Sequence, residues 1–166
     1  MRILDKNFKT HKKQYLLQSM YAAIAIAVSL IFFDVANNPV IVAAFGSSSC
    51  AVFAMPHRKI SRGRNLLGGY LIGIFVGVLL HYCAAYPVES QVLEKAIYIF
   101  LGALAVGVSM FLMTMTSTEH SPAAGVSLGV VISPWTSKDL VMIMIGITAI
   151  VIVHKLLKKQ LIDLLD

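Results

Sequence analysis

From Asn65 to Tyr86 the chain carries no Asp, Glu, Lys or Arg, and that run is the strongest constraint on what it can fold into. Inside a bilayer no water is available to backbone N–H and C=O groups, so a spanning segment pairs them internally as a helix. About 20 residues at ~1.5 Å each cover a hydrocarbon core of ~30 Å. Three further segments are read as full crossings: Tyr15 to Phe33, Lys95 to Met115, and Asp139 to about Leu157. Composition agrees, with 58% hydrophobic residues, 13% charged residues and a mean hydropathy of +0.80 in 166 residues. An all-α integral membrane protein follows, with the lipid bilayer as its first partner. The net charge of +6 would suggest nucleic acid in a soluble protein. Here the basic residues flank apolar segments and act as topology signals, so no nucleic-acid partner is expected.

Two apolar segments are too short to cross alone. Val40 to Met55 contains Phe45-Gly46-Ser47-Ser48-Ser49-Cys50, and a second short helix is expected from Ala123 to Ser133, stopped by Pro134. Ser121 is the expected N-cap of that helix, and Pro122 sits where a missing N–H is harmless. Gly69, Gly73 and Gly77, four residues apart, lie on one face of their helix and predict a close-packing seam. The basic start followed by an apolar run also fits a signal peptide. A run this long, ending at Asp34 without a small-x-small site and followed by further apolar segments, favours a retained crossing.

Counting Lys and Arg decides the topology. If both short segments cross, the N-terminus, the Arg58 to Arg64 loop and the C-terminus share one side with twelve of the fourteen basic residues, leaving Lys95 and Lys138 opposite. If both re-enter instead, the division is nine against five. The positive-inside rule selects six crossings with both termini cytoplasmic, in what is expected to be a bacterial inner membrane. The chain is one transmembrane domain, 1–166, and it repeats internally. A shift of 78 places Pro56 on Pro134 and Phe45 to Met55 on Ala123 to Ser133. Two inverted three-segment halves, 15–86 and 94–157, are therefore expected: four long transmembrane helices plus two short or broken ones. Interrupted segments at matching positions of inverted halves point to a transport site near the bilayer midplane.

A helix N-terminus leaves N–H groups unpaired and carries a positive dipole end, which suits an anion. No Lys or Arg lies between Gln14 and His57 or between Lys95 and Lys138. A small inorganic anion in the core would be held by backbone amides and hydroxyls, between helix starts near Gly46 and Ser121. The candidate substrate-binding residues are Gly46, Ser47, Ser48, Ser49, His120, Ser121, Pro122 and Gly125. His120 is placed to accompany the anion with a proton. Tight helix packing is the competing reading of the same serines and glycines, and a neutral helix cap that of His120. His57 reads as interfacial and His81, with Tyr82 and Tyr86, as part of an aromatic belt; His11 and His154 belong to the flanks. Cys50 and Cys83 sit in apolar segments without ligand spacing, so neither a disulfide nor a zinc site is expected. No other metal and no cofactor is expected.

The stretch Glu119 to Gly129, EHSPAAGVSLG, resembles the signature of the HPP family of integral membrane proteins. FGSSSCAVFAMP from Phe45 and GRNLLGGYLIG from Gly63 resemble its other shared block. The likeness runs from Phe45 to about Leu157. Ser121 stands where the family has its first proline, and Pro122 keeps the second. Family descriptions count four transmembrane segments. Members in plastids and cyanobacteria are associated with nitrite transport, so the resemblance implies a nitrite-transporter-like protein. The expected function is a transporter or channel for a small monovalent anion, or a conduit for a small neutral solute such as the protonated acid. The alternatives are a structural or regulatory membrane subunit and, less favoured, an enzyme using His120 beside Glu119. No catalytic residue is assigned, since no HExxH pair or serine with a positioned base is present. At 166 residues the chain is small for a lone alternating-access machine, and a homo-oligomer is expected.

Overall fold

The computed structural model describes residues 6–31 and 38–165, and among them the regular structure is entirely helical. Six helices follow in order: α1 (Lys6–Leu30), α2 (Pro39–Ala54), α3 (Gly63–Ala84), α4 (Gln91–Met115), α5 (Ser121–Ile132) and α6 (Ser137–Leu157). Short 3₁₀ turns occupy Lys59–Ser61 and Lys158–Gln160. Three helices, α3, α4 and α6 with its 3₁₀ extension, are long and apolar enough to cross a membrane. The expected fourth, from Tyr15, is a helix of 25 residues, but it begins at Lys6, is kinked at His11 and carries Lys9, Lys12 and Lys13 in its first turns. The last two residues of the expected Tyr15 to Phe33 segment lie outside the described residues.

The chain direction alternates from helix to helix. Ile41, Ala44 and Ser48 of α2 lie beside Gly129, Gly125 and His120, so α2 and α5 are antiparallel neighbours. Gly69, Gly73 and Gly77 of α3 lie beside His120, Ala123 and Val130, so α3 and α5 run parallel. Arg64 at the start of α3 reaches the carbonyl of Thr116 at the end of α4. His154 near the end of α6 bonds to Pro56 in the loop after α2. Lys9, Lys12, Lys13, the Arg58 to Arg64 loop and Lys155 to Lys159 therefore gather at one end of the bundle, with Lys95 and Lys138 at the other.

α5 is the axis of the structure. Its twelve residues bury Ala123, Val126, Ser127, Gly129, Val130 and Val131 among α2, α3 and α4. The glycine seam permits this packing. A Cβ at Gly73 would run into the carbonyl oxygen of Ala123, and one at Gly77 would lie 2.9 Å from that of Ser127. Backbone cannot yield as a flexible side chain does, so only glycine fits.

The turn into α5 is built by a Schellman arrangement at the end of α4. The N–H of Thr118 bonds to Met113 and that of Ser117 to Thr114, with Ser117 in the left-handed region at φ 52°. Asn65 then donates to the Glu119 carbonyl at 3.1 Å, and Lys59 pairs with the Glu119 carboxylate at 2.8 Å. The chain is thereby drawn into the bundle before α5 begins. The expected N-cap shifts by one: His120 takes that place, with extended φ/ψ, and Ser121 is the first helical residue. Pro122 stays in the first turn, where its missing N–H breaks no bond.

α2 meets the complementary problem of ending against protein. Its carbonyls at Ala51, Phe53 and Ala54 accept from the Ser61 hydroxyl, the Gln18 amide and the Leu164 N–H. Gln18 also exchanges two bonds with Ile162, and Tyr15 donates to the Leu164 carbonyl. Residues 161–165 thus fold back as a strap against α1 and α2.

Candidate functional site

The residues singled out from the sequence divide into three groups. Ser48 and His120 meet in the interior: the Ser48 hydroxyl is 2.8 Å from His120 Nε2 and 2.8 Å from the hydroxyl of Tyr70. All three side chains are fully buried. His120 Nδ1 lies 3.0 Å from the carbonyl oxygen of Ile60. A carbonyl only accepts, so Nδ1 carries the proton and Nε2 of the neutral ring accepts from Ser48. Ser48 in turn accepts from Tyr70, whose ring is also gripped edge-on by Phe45. A directional chain results: Tyr70 to Ser48 to His120 to Ile60. It joins α3, α2, the start of α5 and the basic loop, and it occupies both imidazole nitrogens. Both nitrogens of the histidine expected to face an anion are thus engaged by protein groups.

Ser49 and Gly46 form the second group. The Ser49 hydroxyl donates to Ala22 of α1 at 3.0 Å and ties two helices together. Gly46 lies in the middle of α2, not at a helix start, and a Cβ there would meet nothing within 4 Å. The expected meeting of two helix N-termini does not form. α2 starts at Pro39, so its N-terminus lies beside the C-terminal end of α5, while the start of α5 faces the middle of α2.

Ser47, Ser121, Pro122 and Gly125 make the third group. With Val40, Ala43, Ala44, Cys50, Ala51, Met55 and Ile60 they line a groove of about 580 Å³ between α2 and α5. It runs from the basic loop at Ile60 toward Val40 and opens on the outer face of the bundle. Seven to eight residues of α3 separate Gly63 from the level of Tyr70, so the start of α5 lies roughly 10 Å inside that end. This falls short of the middle of α3, whose 22 residues span roughly 33 Å. A second groove, about 600 Å³ between α3 and α6, has apolar walls apart from Thr148, whose hydroxyl bonds back to Met144.

Glu119 lies outside the apolar segments. Its bond to the Lys59 ammonium holds its carboxyl below the usual carboxylate range. At the far end, His81 bonds to the Val131 carbonyl at 3.1 Å and packs edge-on against Trp135 and Tyr82. His81 and Tyr82 of the expected grouping thus meet Trp135, and the histidine caps the last turn of α5. Tyr70 escaped the sequence reading. A lone phenol inside a glycine-rich apolar helix was the available signal, since a buried hydroxyl needs a partner.

Fold and site define the class: an all-helical integral membrane protein organised around a short central helix. The chain belongs to the HPP family, whose model for the HPP transmembrane region matches residues 8–161. A transmembrane protein of Dictyostelium discoideum is 27% identical over 93 residues, which is 56% of this chain and 30% of that protein. The chain thus spans less than a third of the relative's length. No solved structure matches.

Proposed function

We propose that the protein conducts a small monovalent anion, with nitrite the favoured substrate, along the groove between α2 and α5. The observation that carries this reading is the start of α5. It stands inside the bundle beside the hydroxyls of Ser47 and Ser121, at the wall of a groove that leads to the basic loop. The first-turn N–H groups and dipole of α5 favour negative charge there, and no side-chain cation lies between Lys95 and Lys138 to hold a multiply charged species. A weakly hydrated monovalent anion fits such a donor set. Nitrite is what the family resemblance implies.

The inverted arrangement of the two halves belongs to the same reading. A displacement of 78 residues carries the end of α2 at Ala54 onto the end of α5 at Ile132, and matching short helices line the groove from its two sides. The basic end is read as cytoplasmic and the membrane as a bacterial inner membrane. Purified protein in liposomes should move nitrite faster than phosphate, and Ser47→Ala with Ser121→Ala should raise the half-saturating concentration. Absence of flux for any monovalent anion would leave the structural or regulatory subunit. That second reading draws on Ser48, Ser49 and His120, whose polar atoms are all occupied by protein.

A further inference from the structure

We propose that residues 161–165 are a releasable latch on the basic end of the bundle. Docked, they hold the loop from Pro56 to Ser61, and with it the mouth of the α2–α5 groove at that end, in a closed position. The segment belongs to no helix, yet Leu161 and Leu164 are buried. Its bonds run mostly outward, to α1, the end of α2 and the loop. The Leu164 N–H donates to Ala54, and Tyr15 donates to the Leu164 carbonyl. Gln18 is itself buried, and its amide serves both the N–H and the C=O of Ile162, so the dock fits the backbone path of this segment. His57 donates its backbone N–H to the Asp163 carboxylate at 2.9 Å and its ring Nε2 hydrogen to the Leu161 carbonyl at 3.0 Å. Arg58 pairs with Asp163 at 3.8 Å.

The loop is thereby gripped from two sides. His57 and Arg58 face the strap. On the bundle side the Pro56 carbonyl accepts from His154, Lys59 pairs with Glu119, the Ile60 carbonyl accepts from His120 and Ser61 donates to Ala51. Docking of the strap is therefore connected, through adjacent loop residues, to the start of α5. Met55 and Ile60, bulky among the mostly small residues that line the groove, are carried by this stretch. A solute moving between the groove and the basic end passes both. Release of the strap is feasible at this end alone. His57 and Arg58 are exposed, so water can take over the bonds the strap gives up, whereas an opened bond in hydrocarbon finds no partner. No helix has to unwind, and the Ala51 and Phe53 carbonyls keep Ser61 and Gln18.

The hold on the loop stands by itself, whereas the effect on transport rests on the groove being the anion path, and the test separates the two. In the full chain in nanodiscs, Asp163→Arg sets a like charge against Arg58 at a part-exposed site. Amide hydrogen exchange should then rise roughly tenfold or more at Ile162 and Leu164. It should rise equally at Ser61 and Arg62, whose N–H groups bond within the loop, to Arg58 and Lys59. A second variant, His57→Cys with Asp163→Cys in a chain whose Cys50 and Cys83 are replaced by serine, is joined by a short reducible cross-linker. Bridged, it should keep Ser61 and Arg62 protected, and reduction should remove that protection. In liposomes the bridged protein should move nitrite about fivefold or more slowly than the reduced protein. Exchange that rises in residues 161–165 while Ser61 and Arg62 stay protected overturns the latch. If Asp163→Arg fails to fold, protection of Ser61 and Arg62 that ignores reduction of the bridge overturns it in the same way. Equal nitrite flux before and after reduction overturns the closed position of the mouth. No flux in either state, with Ser61 and Arg62 following the bridge, keeps the latch and removes the transport reading, so the two failures are distinct.

Discussion

His120 is where residue-level chemistry separates holding the fold from binding the solute. Its ring donates to Ile60 and accepts from Ser48, so ¹⁵N spectra of labelled protein should show a protonated Nδ1 and a bare Nε2. A protonated Nε2 would reverse the assigned direction of the chain. Replacing His120 by Ala strands a buried hydroxyl and a carbonyl and opens a cavity, and a loss of about 2–4 kcal/mol is expected in a denaturation measurement. Ser121→Ala and Ser47→Ala touch only the groove. They should leave Tm within experimental scatter while weakening nitrite binding, since one hydrogen bond to a charged group is worth about 1.5–3 kcal/mol, or roughly ten- to a hundredfold. A changed half-saturation with unchanged Tm in His120→Ala, or the converse in the serine variants, would exchange their roles. The Lys59–Glu119 pair adds a pH signature. Because the folded state lowers the Glu119 carboxyl, its contribution is present above the unfolded carboxylate pKa and disappears as pH falls through the folded value. The Tm gap between the native chain and Glu119→Gln should close on acidification, and a gap that widens would contradict the pair.

At the scale of elements, backbone contact decides which glycines are replaceable. Gly73→Ala sets a Cβ against the Ala123 carbonyl, and a loss of about 2 kcal/mol or more is expected, because α3 and α5 must separate to admit it. Gly107→Ala in α4 meets nothing within 4 Å and should be neutral or gain up to about 1 kcal/mol from helix propensity. Equal effects of the two on thermal unfolding would mean that the seam is not the close contact described. Ser117→Gly should stabilise slightly by relieving the left-handed backbone at the end of α4. The seam was legible because a spacing of four residues marks one helix face whatever the partner. The partner helix was not, since nothing in Gly69, Gly73 and Gly77 names α5. The start of α2 was misplaced for a related reason: Gly46 and three serines look like a helix break in a list of residues. In hydrocarbon, where an opened backbone bond has no water to turn to, they remain helical.

For the whole molecule, six alternating helices return both described ends and the Arg58 to Arg64 loop to one end of the bundle, which makes the distribution of charge a statement about sidedness. Apolar length and charge were readable from the chain because both are sums over residues. The closure of that end by residues 161–165 was not, because it depends on Gln18 and Tyr15 meeting a segment far along the chain. In the proposed orientation, which follows the positive-inside rule, the Arg58 to Arg64 loop faces the cytoplasm and the loop before α4 faces outward. Single cysteines at Arg62 and Glu89, both exposed, report on these two ends in a chain whose Cys50 and Cys83 are replaced by serine. In intact bacterial cells a membrane-impermeant maleimide should label the cysteine at position 89, and label that at 62 only after the inner membrane is opened. Neither position lies in the core, so both variants should fold. Labelling of position 62 from outside, with 89 protected, would invert the molecule. Labelling of both from outside would mean that α3 does not cross, against its length and apolar composition.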